Sequence, residues 1–184
     1  KKVSEGGFPE QNDDEVWFTY YRESATMNAC LASYQSAMLL KGGPRTQILQ
    51  TKRCLEQLGL HVTLFESWQE FQKETIDVVH LFGANIGTYH LARELHKLGI
   101  PLAVTPIFYT RHSPVVVRAA TAVDALVRSV ARGLWTDYGM IREICSWADA
   151  LLPNTSKEAA LFRRGFSVAG GLITVVPNGV EERF

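Results

Sequence analysis

An α/β fold with a parallel sheet covered by helices on both faces is what this sequence predicts, and three observations predict it. From residue 28 onward, short apolar runs alternate with longer stretches of helical period. The short runs are near-continuously apolar, as strands buried on both faces must be. Gly59 and Gly99 each close a helical stretch just before the next apolar run, where glycine can end a helix and turn the chain back.

In chain order, residues 1–27 read as an N-terminal extension. It is polar and Gly/Pro-containing to residue 14, and then Val16-Trp17-Phe18-Thr19-Tyr20-Tyr21 forms an aromatic run of high β propensity, an edge strand or a docking segment. Strands are expected at 29–33, 61–66, 77–82, 101–108, 150–153 and 173–176. A helix over 46–58 carries Ile48, Thr51, Leu55 and Leu58 on one face, and a second over 86–98 carries Leu91, Leu95 and Leu98. The longest helical stretch, 115–148, places Val116, Ala119, Ala120, Val123, Val127, Val130 and Leu134 in one stripe, with Gly133 and Gly139 expected to break it. A last helix starts at Ser156, with Thr155 or Ser156 as its cap, and runs toward Phe166. Six strands with right-handed helical crossovers make residues 28–184 one doubly wound, Rossmann-like domain.

Nineteen Lys and Arg balance nineteen Asp and Glu, so net charge gives no pull toward nucleic acid. Cys30, Cys54 and Cys145 lie far apart without CxxC spacing and read as buried thiols in a reducing compartment, without metal. The start of the chain lacks the apolar core of a signal peptide, and Arg118, Asp124 and Arg128 interrupt the most apolar stretch, 115–130. A soluble cytoplasmic protein is expected. Arg111, Arg118, Arg128 and Arg132 against Asp124 leave a local net charge of +3 (four minus one). This leaves peripheral contact with the inner face of a membrane open as an alternative to a solvated helix face.

Chemistry is expected in the loops after strands. Gly42-Gly43-Pro44-Arg45-Thr46 opens a helix whose first amides can receive a phosphate or sugar oxygen beside the Arg45 cation. The spacing is neither G-x-G-x-x-G nor a P-loop. The fourth strand delivers Tyr109-Thr110-Arg111-His112, an aromatic platform, a cation and an imidazole suited to a carbohydrate-like ligand. His80, inside a strand, reads as a buried, satisfied histidine. Pro177-Asn178-Gly179 makes a turn at the carboxyl end of the sixth run, the edge where α/β proteins bind ligands. No carboxylate pair or Ser/His/Asp arrangement supports hydrolysis.

Two segments, 148–159 (ADALLPNTSKEA) and 173–180 (ITVVPNGV), carry a resemblance, together with Gly42-Gly43, Leu58-Gly59-Leu60-His61-Val62 and Asp77-Val78-Val79-His80. Taken in chain order, over roughly residues 28–184, they resemble the N-terminal domain of family 4 (group 1) glycosyltransferases. The resemblance implies one half of a GT-B architecture, two Rossmann-like domains across a cleft, with acceptor on this half and most of the donor site on a C-terminal domain outside these residues. It implies retaining, metal-independent transfer from a nucleotide-sugar, a substrate rather than a cofactor. Gly42, Gly43, Arg45, Asn178 and Gly179 are then the donor-binding candidates, and Tyr109, Arg111, His112, Asn154 and Thr155 the acceptor-binding ones. The family's common histidine after the fourth strand aligns near Ile107, which leaves His112 as the catalytic candidate. This half alone is expected to bind donor weakly and to transfer nothing. Its expected partners are donor, acceptor, the C-terminal domain and, as an open alternative, a second copy. The competing readings are a nucleotide-sugar epimerase of the same architecture and a non-catalytic Rossmann-like interaction module that self-associates through 16–21.

Overall fold

The computed structural model of the protein describes residues 27–39, 41–130 and 135–179. The aromatic run 16–21 and Arg132, Gly133 and Leu134 lie outside them. Strands β1 (Asn28–Ser33), β2 (His61–Leu64), β3 (Val78–Phe82), β4 (Leu102–Thr105) and β5 (Ala150–Leu151) form one parallel sheet in the order β2-β1-β3-β4-β5. The helices are α1 (Gly43–Gln57), α2 (Ile86–Lys97), α3 (Pro114–Val130), α4 (Asp137–Trp147) and α5 (Ser156–Gly165). The register sets Cys30 beside Val79, Val79 beside Leu102 and Val104 beside Leu151. Because β2 lies on one side of β1 and β3 on the other, the strand order reverses between β1 and β3. The crevice at their carboxyl ends is where this topology receives ligands.

Two apolar cores sandwich the sheet. On one face Val79, Leu81, Leu102, Val104 and Leu151 pack with Tyr89, Ala92 and Leu95 of α2, Ile141, Ile144 and Cys145 of α4, and Phe162 of α5. On the other, Leu31, Val62 and Phe82 pack with Ile48 of α1. Gly59 and Gly99 do end α1 and α2, with φ of +89° and +68°. The amide of Leu60 reaches Leu55 and that of Ile100 reaches Leu95, closing each helix with a left-handed turn only glycine adopts freely.

Several expectations are corrected. The run 173–176 is no strand: Ile173 makes one isolated bridge to Leu151, and Val175 and Val176 are exposed. It borders β5 on one side only, so a sequence of buried-strand character ends as an edge segment. The strand expected at 150–153 shortens to two residues, and that at 101–108 to Leu102–Thr105. Cys54 is exposed on α1, whose fully buried stripe is limited to Ile48, while Cys30 and Cys145 are buried. Leu58 and Leu98, placed on helix stripes by periodicity, sit at helix ends and are exposed.

The largest correction concerns 115–148. Gly139 does not break a helix but lies inside α4, where a Cβ would stand 2.2 Å from Asp124 Oδ2. The apolar stripe that periodicity marks on α3 faces largely outward, and the buried residues are Val117, Thr121 and Asp124. Polar bonding decides which side turns in. Asp124 accepts from Thr136 Oγ1 at 2.6 Å and pairs with Arg128, whose guanidinium is 2.7 Å from Glu143 and stacks over Trp135. Glu143 in turn accepts from the Tyr89 hydroxyl.

Candidate functional site

Four loops meet at the carboxyl edge of the sheet. The loop after β1 leads into α1, which starts with Gly42 as N-cap in extended conformation (φ −160°, ψ 177°), Pro44 in its first turn and no side-chain cap. The helix dipole and the amides of Gly43 and Arg45 therefore remain for an anion. A Cβ at Gly43 would meet nothing within 4 Å, so the fold does not demand glycine there and the backbone stays open to close approach. α2 differs. Its Asn85 accepts from the Gly87 amide at 2.8 Å, and Thr88 answers the Asn85 amide, so its N-terminus is filled by its own side chains. Gly83, at φ +94°, and Gly87 let this turn pass under Tyr34.

The loop after β4 holds Tyr109, Arg111 and His112, all exposed. His112 Nδ1 lies 2.7 Å from the Tyr138 hydroxyl, which lies 3.2 Å from Thr110 Oγ1. The Tyr138 ring packs edge-on against Phe108 and Phe166, so the imidazole is fixed to the core through α4. Upstream, Ile107 has a φ of +47°, a costly conformation for a β-branched residue. It stands where the family resemblance places a histidine.

Two side chains, Gln47 and Glu158, join these loops to the one after β5. Gln47 Nε2, in the first turns of α1, donates to Asn154 Oδ1 at 2.8 Å. Buried Glu158 accepts from the Phe108 amide at 2.9 Å and from the Asn154 amide at 2.7 Å, tying the loop after β4 to the loop after β5. Gly42, Gly43 and Arg45 thus come to the same edge as Asn154, and Asn154 to the same edge as Tyr109, Arg111 and His112. Thr155 is engaged otherwise: its hydroxyl caps α5 by accepting from the Glu158 amide at 3.1 Å. Thr174 and Val176 donate to Leu151 and Pro153, which aligns 173–176 with β5 and carries exposed Asn178 and Gly179 toward that edge. Among the described residues no hydrogen bond joins those two to the other candidates.

His80 is satisfied by Thr105 Oγ1 at 2.8 Å and stacks on Phe82. Burial pushes its pKa down to about 4, so the ring is neutral near pH 7. Sequence reasoning missed Gln47, Tyr138 and Glu158. Only Glu158 left a signal, as an acid in a helix's first turn, where it reads as dipole chemistry rather than as a clamp.

Comparison of the chain with curated proteins gives no match. Residues 61–184, more than half of the chain, match the family described as Glycosyltransferase Family 4. The matched residues contain the loops after β3, β4 and β5, the Glu158 clamp and the Tyr138–His112 pair, all set on the parallel sheet such a domain requires. The chain belongs to glycosyltransferase family 4.

Proposed function

We propose that this domain forms the acceptor-side wall of a two-domain GT-B enzyme that transfers a sugar, with retention, from a nucleotide-sugar to an acceptor hydroxyl. The observation that carries the reading is the joining of the three loops by Gln47–Asn154 and by Glu158. It sets an uncapped helix N-terminus with a cation beside a loop bearing an aromatic ring, a cation and an oriented imidazole.

In this reading the amides of Gly43 and Arg45 and the Arg45 guanidinium face the donor's phosphate or sugar oxygens, stabilising charge that grows as the sugar departs. Asn178 and Gly179 border the donor from the β5 side. Tyr109, Arg111 and Asn154 hold the acceptor, with Thr155 contributing through the helix start it caps. Tyr138 engages Nδ1 of His112 and leaves Nε2 for an acceptor hydroxyl. A second domain supplies the rest of the donor site, and closure aligns the reacting atoms and excludes water. Transfer needs both walls, so this domain alone binds donor weakly. Free thiols and a nucleotide-sugar donor fit a cytoplasmic setting.

Titration of the isotope-labelled chain with UDP-, GDP- and ADP-sugars, followed by amide chemical shifts, tests the reading. Shifts concentrated at Gly43, Arg45 and Thr46 and at Asn178 and Gly179 are expected. Shifts confined to other surfaces, or none with any of these donors, would count against it.

A further inference from the structure

The start of α4 carries a polar chain that the sugar-transfer reading leaves unused. Asp124, midway along α3, is 6% exposed, and a buried carboxylate is retained where charge and hydrogen bonds compensate it. Arg128 stands 3.8 Å from its Oδ2, and its Oδ1 accepts from the Thr136 hydroxyl at 2.6 Å. A threonine hydroxyl has one proton, and here it goes to Asp124. The lone pairs of Thr136 Oγ1 are thereby turned to the Gly139 amide, which donates to it at 3.1 Å and completes the cap of α4. The carboxylate also fills the space that a side chain at Gly139 would need. Asp124 thus holds the first turn of α4 through a bond and through contact.

Tyr138 lies in that turn. Its hydroxyl is 2.7 Å from His112 Nδ1 and 3.2 Å from Thr110 Oγ1, and Thr110 Oγ1 also accepts from the His112 amide at 3.2 Å. The two rings meet edge to face. Two proton arrangements satisfy these atoms. Either Tyr138 donates to Nδ1, which puts the ring proton on Nε2, or Nδ1–H donates to the Tyr138 oxygen, whose own proton goes to Thr110. Only the second leaves the Nε2 lone pair free to accept from an acceptor hydroxyl.

We infer that Asp124 and Thr136 are positioning residues for His112: they fix the first turn of α4, so that Tyr138 accepts from Nδ1–H and leaves Nε2 unprotonated for the acceptor. The inference deepens the sugar-transfer reading and rests on its assignment of His112 to the acceptor. A group aimed at a reacting atom keeps its orientation only where the residues that support it are themselves locked. Here the support crosses two helices, from Asp124 on α3 to Tyr138 on α4.

Nitrogen-15 spectra of the imidazole rings test it, recorded on the labelled chain well above the ordinary imidazole pKa so that neutral tautomers are read. The His112 signals are assigned by their loss in His112→Gln. In wild type the Nδ1–H form is expected to exceed the Nε2–H form by about fivefold, one hydrogen bond's worth. Thr136→Val removes both the cap and the bond to Asp124 and should cut that ratio at least about threefold, whereas Thr136→Ser should keep it. Asp124→Ala gives the same readout if Thr136→Val does not fold. Arg128→Gln is the control for stability alone: it breaks the ion pairs to Asp124 and Glu143, lowers the melting temperature and should leave the ratio as in wild type. A wild-type ring in the Nε2–H form would overturn the inference. So would a ratio that Thr136→Val and Asp124→Ala leave unchanged, or that Arg128→Gln lowers equally, because the α3–α4 contact would then serve packing alone. No donor enters this experiment, so its failure is distinct from a lack of donor-induced shifts at Gly43, Arg45 and Thr46.

Discussion

Glu158 is the residue on which the arrangement of the site depends most. Its carboxylate accepts two backbone amides from two loops, and an ionised acceptor makes such bonds stronger than neutral pairs. Glu158→Gln keeps one acceptor oxygen and turns an NH2 toward the other amide, leaving a donor facing a donor. A loss of about 2 kcal/mol is expected from a denaturant midpoint, with amide shift changes at Phe108 and Asn154. An unchanged midpoint would show that the clamp carries no load. His80 gives a pH signature. Its pKa lies near 4 in the fold against about 6.5 in the unfolded chain, so the unfolded state binds the extra proton between those values. The stability that neutral His80 preserves is complete above about pH 6.5 and falls as pH drops toward 4. His80→Gln should flatten that part of the stability–pH curve. Tyr89 works at the other extreme: burial first, and its bond to Glu143 second, raise its pKa to about 12, so its contribution fades only above about pH 10.

Among the elements, the α3–α4 pair shows how polar bonding overrides an apolar pattern. Gly139 lets α4 approach Asp124, and a methyl there would overlap both carboxylate oxygens. Gly139→Ala, a change that normally favours a helix, is expected to cost about 2 kcal/mol by thermal unfolding, and a stabilised variant would refute the packing. The 3.6-residue period of 115–130 was legible in the sequence, and so was the helix. Which side faced inward was not, because periodicity marks a stripe without saying what covers it. Here Asp124, Arg128, Thr136 and Glu143, spread over two helices, settled the question. The sequence marks the glycines that the backbone needs, Gly59 and Gly99, but gives no sign of the steric need at Gly139.

For the whole molecule, β1, β3 and β4 were legible because helices and neighbouring strands cover them, and covered parallel strands leave continuous apolar runs. The edge was harder. Residues 150–153 and 173–176 carry the same run character, yet only Ala150–Leu151 pair as strand, since edge position rather than composition limits pairing. The site was legible as loops and not as a unit. Gln47 and Asn154 lie 107 residues apart, and a polar pair at that separation leaves no local pattern. What the fold adds to family membership is the juxtaposition of an open helix start, the His112 loop and Asn154 along one edge. The most direct test of the proposed donor-facing α1 is a sugar-transfer assay on this domain within the proposed two-domain enzyme, screened over UDP-, GDP- and ADP-sugars, with Gly43→Trp beside wild type. The fold leaves open space at Gly43, so the bulky variant should fold normally and lose turnover with the active donor. Equal turnover by the variant, or none by wild type with any donor, would contradict a donor-facing α1.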